Sequence, residues 1–290
     1  MSKIAILTDS SCDIPQEMAE KYGIDIMSFH ILLDDVDYVE RESCTNTEFY
    51  DKMRLSKGVP STAAITPIQF CEKYRQYVDE GYTDVIHVPI NKSGSSTYNN
   101  ALMAQGMLRE ERPEHHMKIH LLDPHTYSMV FGWYLCEMAR KLKNGAEISH
   151  VIQEFEKQMN CMEIILGPYS LKQMKKSGRI SAAAAVMGEL MGVRPIITLI
   201  DGKTKVESKV RGDDKVVPAM IELCKKRADG VENFDYMIGH TNIKQAEDLE
   251  KACRKAFGKA PLVVFELGGV VSANTGPDTV ALVYTGHPRG

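Results

Sequence analysis

The stretch "DVIHVPINKSGSSTYNNALMAQGMLREE", residues 84–111, has the pattern of a strand, a polar loop and a helix in succession. Its first seven residues are mostly apolar and predict a buried strand, while the residues after the loop have helical spacing. Strand and helix pairs of this kind recur through the first half of the chain, so the sequence predicts βαβ units and a parallel sheet. The predicted strands of this half are residues 3–9, 24–33, 84–90 and 118–123.

The second half of the chain has a different pattern. Its predicted strands at 195–200 and 204–210 are joined by a short turn whose Asp-Gly pair is a hairpin signal. Short connections of this kind favour antiparallel pairing. We therefore predict an α/β protein of two domains. Residues 1–148 form a Rossmann-like parallel sheet with flanking helices, and residues 149–290 form an α/β domain with a mixed or antiparallel sheet.

Composition narrows the class of protein. The chain has 290 residues, of which 43% are hydrophobic and 26% charged, as is usual for a globular protein. A net charge of -4 gives no general attraction to nucleic acid. No apolar run is long enough for stable membrane insertion or for a signal peptide. Seven cysteines without a CxxC pair favour reduced thiols, so we expect a cytoplasmic protein.

Polar loops follow four of the apolar segments. Because the carboxyl ends of parallel strands share one edge of a sheet, we expect these loops to converge there. In the first of them, "TDSSCD", a turn and helix N-cap is favoured over ligand binding by about two to one. The four loops are residues 8–13, 61–67, 91–98 and 123–126.

The loop at 91–98 has more hydroxyl groups than a helix start needs. Ser96 or Thr97 alone would cap the following helix, which leaves Ser93 and Ser95 without a structural role. Hydroxyl groups at a helix start attract an anion such as a phosphate or a carboxylate. No GxxxxGK[ST] or GxGxxG pattern accompanies them, which disfavours a nucleotide site of either standard design.

Two later segments have more than one interpretation. Residues 171–195 form either a helical hairpin whose second helix is core, or a positive lip of Lys175, Lys176 and Arg179 beside a helix that lines an apolar cavity. Asn274 is expected in a glycine-bounded turn between two strands. The histidines have no HxH or HExxH spacing and there is no GxSxG elbow, so neither a metal site nor a serine hydrolase is predicted.

Several motifs taken together, in order across nearly the whole chain, resemble the DegV family of bacterial fatty-acid-binding proteins. The resemblance implies a two-domain α/β fold with a long-chain fatty acid of the palmitate or oleate class in a tunnel between the domains. The carboxylate is held by hydroxyl groups, and no cofactor is needed. The motifs are "TDSSCD", "STAAITP", "SGSSTY", "LKQMKKSGRIS", "GVRPIITLIDGK", "KVRG" and "SANTGPDTVALVY".

The resemblance also implies a role. Some members are non-catalytic subunits of a fatty acid kinase, whose separate ATP-binding subunit phosphorylates the bound carboxylate for phospholipid synthesis. By motif position, Thr62 and Ser95 match residues that bind the carboxylate. Arg179 and Arg211 match arginines that serve the head group or the kinase surface.

The chain departs from the family pattern at the head group. Asn274 stands where the family commonly has a carboxylate-binding histidine, and an amide cannot carry positive charge. Ser96 replaces a glycine, and Ala63 replaces a second hydroxyl residue. We predict that Asn274 contacts the carboxylate, that Ser93 and Ser96 lie near it, and that the Lys92 ammonium partly replaces the missing charge.

Binding should survive the loss of the histidine. A tail of about 14 methylenes contributes on the order of 11 kcal/mol before ordering costs, whereas one hydrogen bond to a charged group contributes roughly 1.5 to 3 kcal/mol. Two other functions stay open. One is an acyl- or phosphoryl-transfer enzyme that uses Ser95 as nucleophile, and the other is a binder of a different amphiphile.

Overall fold

The computed structural model describes residues 3–178 and 192–289. The strands are β1 (Ile4–Asp9), β2 (Ile24–Met27), β3 (His30–Leu33), β4 (Val36–Val39), β5 (Ser61–Ala63), β6 (Asp84–Val88), β7 (Lys118–Leu121), β8 (Met162–Pro168), β9 (Val193–Ile200), β10 (Lys203–Arg211), β11 (Tyr236–His240), β12 (Val264–Glu266) and β13 (Thr279–Thr285). The α-helices are α1 (Gln16–Tyr22), α2 (Asn46–Leu55), α3 (Pro67–Asp79), α4 (Thr97–Glu111), α5 (Met129–Lys143), α6 (Ile148–Met159), α7 (Lys172–Ser177), α8 (Val216–Arg227), α9 (Ile243–Phe257) and α10 (Gly269–Thr275).

The predicted parallel sheet is present, with the strand order β2-β1-β6-β7. Ile6 of β1 pairs with Ile24 on one side and Ile86 on the other. Successive side chains of β1 pack into different apolar clusters. Ile6 belongs to one cluster, whereas Ala5 and Leu7 belong to another. Both faces of the sheet are therefore buried, which explains why β1 is a continuous apolar run.

The predicted strand at 24–33 is two strands in different sheets. β2 joins the parallel sheet, whereas β3 pairs with β4 and β5 in a small antiparallel sheet. The β3–β4 turn uses Asp34 and Asp35, both with positive φ, as tight hairpins require. Residues 61–63, predicted as a loop after a strand, are β5 itself. Thr62 is therefore positioned by the small sheet and not by the edge of the parallel sheet.

The second half forms the predicted mixed sheet, with the strand order β10-β9-β8-β13-β11-β12. Its described pairs are antiparallel except for the parallel pair of β11 and β12. The predicted hairpin turn lies between β9 and β10, where Asp201 and Gly202 both have positive φ. The α/β class and the two kinds of sheet are confirmed, and the arrangement is consistent with two domains. The boundary at residues 148 and 149 stays a prediction.

The central core draws on both halves of the chain. Phe131 and Leu135 of α5 belong to the same apolar cluster as Leu166 of β8 and Val283 of β13. The seven cysteines form no disulfide. In the two described ranges, no helix combines the length and apolar character that a membrane span needs.

Candidate ligand-binding site

A cavity lies where the two halves of the chain meet, and its floor is one face of the mixed sheet. Ile164 is paired with Val283 on one side and Leu199 on the other, and Leu166 is paired with Ala281. These five residues line the cavity as one continuous apolar surface, which we call the apolar floor. A surface of this kind holds a hydrocarbon and offers it no hydrogen bond.

Most polar residues of the cavity come from elements outside the mixed sheet. We call them the polar lining, and they include all three residues predicted to bind a carboxylate. The first half of the chain contributes residues from β5, from the 91–98 loop and from the start of α5, and the second half contributes residues from α10. The polar lining consists of Thr62, Ser95, Ser96, Ser128, Asn274 and Thr275. Two further hydroxyl residues, Tyr127 and Thr204, also line the cavity and have partners of their own.

The 91–98 loop uses its hydroxyl groups differently from the prediction. Ser95 Oγ lies 2.8 Å from Thr97 Oγ1 and accepts a hydrogen bond from the Thr97 N–H at 3.3 Å, so Ser95 acts at the helix start. Ser93 donates its hydroxyl to Asn91 Oδ1 at 3.0 Å and also has a structural role. Ser96 occupies the N-cap position without a side-chain capping bond. Among the described residues the Ser96 hydroxyl therefore has no capping partner, whereas Ser95 can still donate its hydroxyl to a ligand when Thr97 is the donor of their shared hydrogen bond.

Asn274 lies in a helix, so the predicted turn is wrong. Its Nδ2 donates to the Val270 carbonyl at 2.9 Å, one helical turn earlier. A carbonyl oxygen only accepts, so the atom facing it must be the amide nitrogen. Asn274 consequently has its Oδ1 and one remaining N–H for other partners.

Ser128 lines the cavity and was not singled out from the sequence. Its backbone has a φ of 66° and a ψ of -162°, a conformation that is costly for a residue other than glycine. Two hydrogen bonds hold Ser128 in this conformation. Its N–H donates to the Ser11 carbonyl at 2.9 Å, and its hydroxyl donates to Asp13. The position of this side chain depends on contacts that are distant in sequence, so no local pattern indicates it.

Three acidic side chains have their carboxyl groups inside the protein near these residues. Asp9 accepts hydrogen bonds from the backbone of Ile90 at 2.7 Å and of Ser11 at 3.1 Å, which confirms its predicted structural role. Burial raises the pKa of Asp9 to about 7, although these hydrogen bonds lower it. Burial also raises the pKa of Asp13, and the nearby charge of Glu40 raises it further.

Glu40 was not anticipated from the sequence, where no pattern separates it from exposed acids. It is buried, accepts a hydrogen bond from the Val270 N–H at 2.8 Å, and is hydrogen-bonded by the Ser10 hydroxyl. Burial raises its pKa. Glu40 therefore ties the 3-10 turn at Ser10–Cys12, directly after β1, to the start of α10, which carries Asn274.

The tip of the β9–β10 hairpin packs against the 91–98 loop. Gly202 lines the cavity, and a Cβ at this position would overlap Asn91 Nδ2 and lie 2.5 Å from Ser93 Oγ. Asp201 Oδ1 lies 2.9 Å from His125 Nδ1 in the loop that follows β7. The second half of the chain thus contacts two of the predicted loops of the first half.

The basic residues predicted at the head group do not belong to the described lining. Lys92 is exposed, and its Nζ lies 3.5 Å from Asp123 Oδ2, so the structure does not bring its ammonium to the polar lining. Arg211 ends β10 and pairs with Val193. Arg179 lies outside the described residues. In the part of the chain that the structure describes, no group of histidine, cysteine and acidic side chains could hold a metal ion.

Comparison with known proteins gives the family. The family model described as "Uncharacterised protein, DegV family COG1307" matches residues 3–286. A DegV domain-containing protein of Clostridium perfringens is 28% identical, and the match covers 98% of this chain and 99% of that one. A DegV domain-containing protein of Staphylococcus aureus is also 28% identical, with 98% of each chain covered.

Solved structures have the same fold. A stearic acid-binding protein from Eubacterium ventriosum matches with a TM-score of 0.89 at 22% identity, covering 98% of both chains. A fatty acid binding DegV family protein from Streptococcus agalactiae matches with a TM-score of 0.85 at 25% identity, covering 99% of this chain and 100% of that one. The family model, the relatives and the fold agree over nearly the whole length, and the chain belongs to the DegV family.

Proposed function

We propose that this protein binds a long-chain fatty acid in the cavity, with the tail on the apolar floor and the head group at Thr62, Ser95 and Asn274. One observation carries the proposal: these three residues, far apart in the sequence, line a single cavity whose other wall is a continuous apolar surface. The fatty acids named for the Eubacterium ventriosum protein and for a DegV family protein from Ruminococcus gnavus, stearic and vaccenic acid, support it.

The physical chemistry of the cavity supports a carrier whose affinity comes from the tail. Each buried methylene contributes about 0.8 kcal/mol, and the apolar floor supplies the surface that buries it. Each hydrogen bond from the uncharged polar lining adds less than the tail, about 0.5–1.5 kcal/mol to a neutral head group and roughly 1.5–3 kcal/mol to a charged one. A ligand held in this way is oriented by its head group and can still be released.

The first test is denaturing extraction of the freshly purified protein, followed by mass spectrometry for lipids. We expect one long-chain fatty acid per chain. The variant Ala281→Phe, which places a ring on the apolar floor, should lose the lipid while keeping the circular dichroism spectrum of the wild type. An empty extract, together with no thermal stabilisation by added palmitate or oleate, would contradict the proposal.

A role as the acyl-binding subunit of a fatty acid kinase is part of the same proposal. In that role the chain would present its ligand to a separate ATP-binding subunit. Formation of acyl phosphate from the loaded protein, ATP and such a subunit tests it, with the Ala281→Phe variant as control. This partner stays a prediction.

The enzyme hypothesis has less support. Ser95 Oγ is hydrogen-bonded to Thr97, and the described lining contains no histidine, lysine or carboxylate that could act as its base. Turnover of a long-chain acyl ester by the isolated chain, abolished in Ser95→Ala, would reverse this judgement.

A further inference from the structure

The polar lining can form hydrogen bonds, but no charged side chain is among its described members. The nearby cations are held elsewhere. Lys92 is directed to Asp123, and Arg41, close to the buried acids, donates to the Ile14 carbonyl at 2.6 Å. The described residues therefore offer no positive charge to a ligand head group.

Acidic groups stand directly behind the polar lining. Asp13 is hydrogen-bonded to the lining residue Ser128, and Glu40 is hydrogen-bonded to the backbone of Val270, which also lines the cavity. Burial raises the pKa of both Asp13 and Glu40, because their surroundings exclude water and disfavour a negative charge. A carboxylate bound at the neighbouring lining residues would lie in the same surroundings and would be disfavoured for the same reason.

Three members of the polar lining already donate a hydrogen bond to another group of the protein. Ser128 donates its hydroxyl to Asp13, Thr275 donates to the Val271 carbonyl at 3.3 Å, and Asn274 uses one N–H on Val270. The first two residues can only accept a further hydrogen bond, and Asn274 can accept one through Oδ1. An ionised carboxylate cannot use these acceptors, because it has no proton to donate.

The polar lining also contains hydrogen-bond donors. It therefore suits a head group that can both donate and accept hydrogen bonds. Within the described residues the hydroxyls of Thr62 and Ser96 form no hydrogen bond, and Asn274 keeps one N–H. A group that both donates and accepts can pair with both kinds of partner at once. A protonated carboxyl group and an alcohol have this property, whereas a carboxylate does not.

We infer that the cavity takes its single-chain amphiphile with an uncharged head group, so that a fatty acid is bound as the carboxylic acid. This inference rests on the proposed function and specifies its ligand. In water near neutral pH a fatty acid is ionised, since a carboxyl group has a pKa of about 4 to 5. Binding therefore takes up one proton from solvent, which joins a carboxylate oxygen to give the neutral acid. A fatty alcohol binds without this step.

The test compares palmitate with 1-hexadecanol, both delivered from cyclodextrin, by isothermal titration at pH 6, 7 and 8. We expect the Kd of palmitate to rise about tenfold for each pH unit, because one proton is bound with each ligand. The Kd of hexadecanol should stay constant. The alcohol controls for changes of the cavity itself with pH, and the carboxyl chemical shift described below separates protonation of the ligand from titration of the protein groups around the site. These groups are Asp9, Asp13, Glu40, Arg41, Tyr50, Lys92, Asp123, His125, Tyr127, Asp201 and Lys203.

A second readout observes the head group itself. Palmitate labelled with ¹³C at its carboxyl carbon should show, when bound at pH 7.5, the chemical shift that the same label has as the protonated acid. In Asn274→His, which places a group that can be positively charged at the site, the shift should move toward the carboxylate position.

The outcomes separate the two proposals. Palmitate that binds with a constant Kd and a carboxylate chemical shift, while hexadecanol does not bind, would overturn the uncharged head group and leave fatty acid binding intact. If neither ligand binds, both the proposed function and this inference are wrong.

Discussion

The buried carboxyl group of Asp9 should make the free energy of unfolding fall as the pH rises. Asp9 is fully buried, and its pKa is raised from 3.8 to about 7 by burial. Between these two values the folded state keeps a proton that the unfolded state has released, so folding is progressively disfavoured as the pH rises through this window. A difference of about 3 pKa units corresponds to about 4 kcal/mol, lost between about pH 4 and pH 7.

The variant Asp9→Asn removes this titration while keeping the shape of the side chain. We expect it to gain about 4 kcal/mol relative to the wild type between pH 4 and pH 8, measured by urea unfolding at each pH. The other buried acids are present in both proteins, so their titration largely cancels in the difference. Asp35→Asn, an exposed turn position that suits asparagine, is the control. If the difference between Asp9→Asn and the wild type does not change with pH, Asp9 is not titrating in this range and the reasoning fails.

Three further predictions concern the ligand. Thr62→Val removes one hydroxyl from the polar lining and should weaken palmitate binding by about 2- to 12-fold at pH 7. Ser61→Ala on the same strand should have no effect. Equal affinities for the two variants would exclude Thr62 as a contact. Gly202→Ala should displace the hairpin tip and speed ligand release, whereas Gly23→Ala, with a similar φ and open space around it, should not. Dissociation rates of the ligand from the two variants, measured by stopped-flow displacement, test this difference. Shortening a saturated fatty acid by two methylenes should raise Kd about 15-fold on the value for buried methylenes, and a flat series from C12 to C16 would show that the tail is not bound on the apolar floor.

The parallel and mixed sheets were predictable because their signals are local. Apolar runs at strand length, alternating with helical patterns, mark the first sheet, and the Asp-Gly turn marks the hairpin of the second. The break after Met27 was missed because apolar residues continue across it, and only pairing with distant strands separates β2 from β3.

The site was predictable in part. Motif positions singled out Thr62, Ser95 and Asn274, and these three residues line one cavity, while their contact with a ligand stays a prediction. The helix that carries Asn274 was missed because its flanking glycines also signal turns. The placement of Lys92 was missed because its partner Asp123 is 31 residues away and largely buried. Long-range pairing of this kind leaves no trace in the spacing of residues.

The walls of the cavity belong to different halves of the chain, so a bound ligand should reduce local opening of both halves together. In the proposed complex, a tail on the apolar floor would also lie against Val130 and Phe29 of the first half, which line the same cavity, and would complete the packing between the halves. Without it, apolar surfaces on both sides lose their neighbour. We therefore expect backbone amides of β5 and β13, which contribute lining residues from the first and the second half of the chain, to gain protection from hydrogen exchange together when the ligand binds.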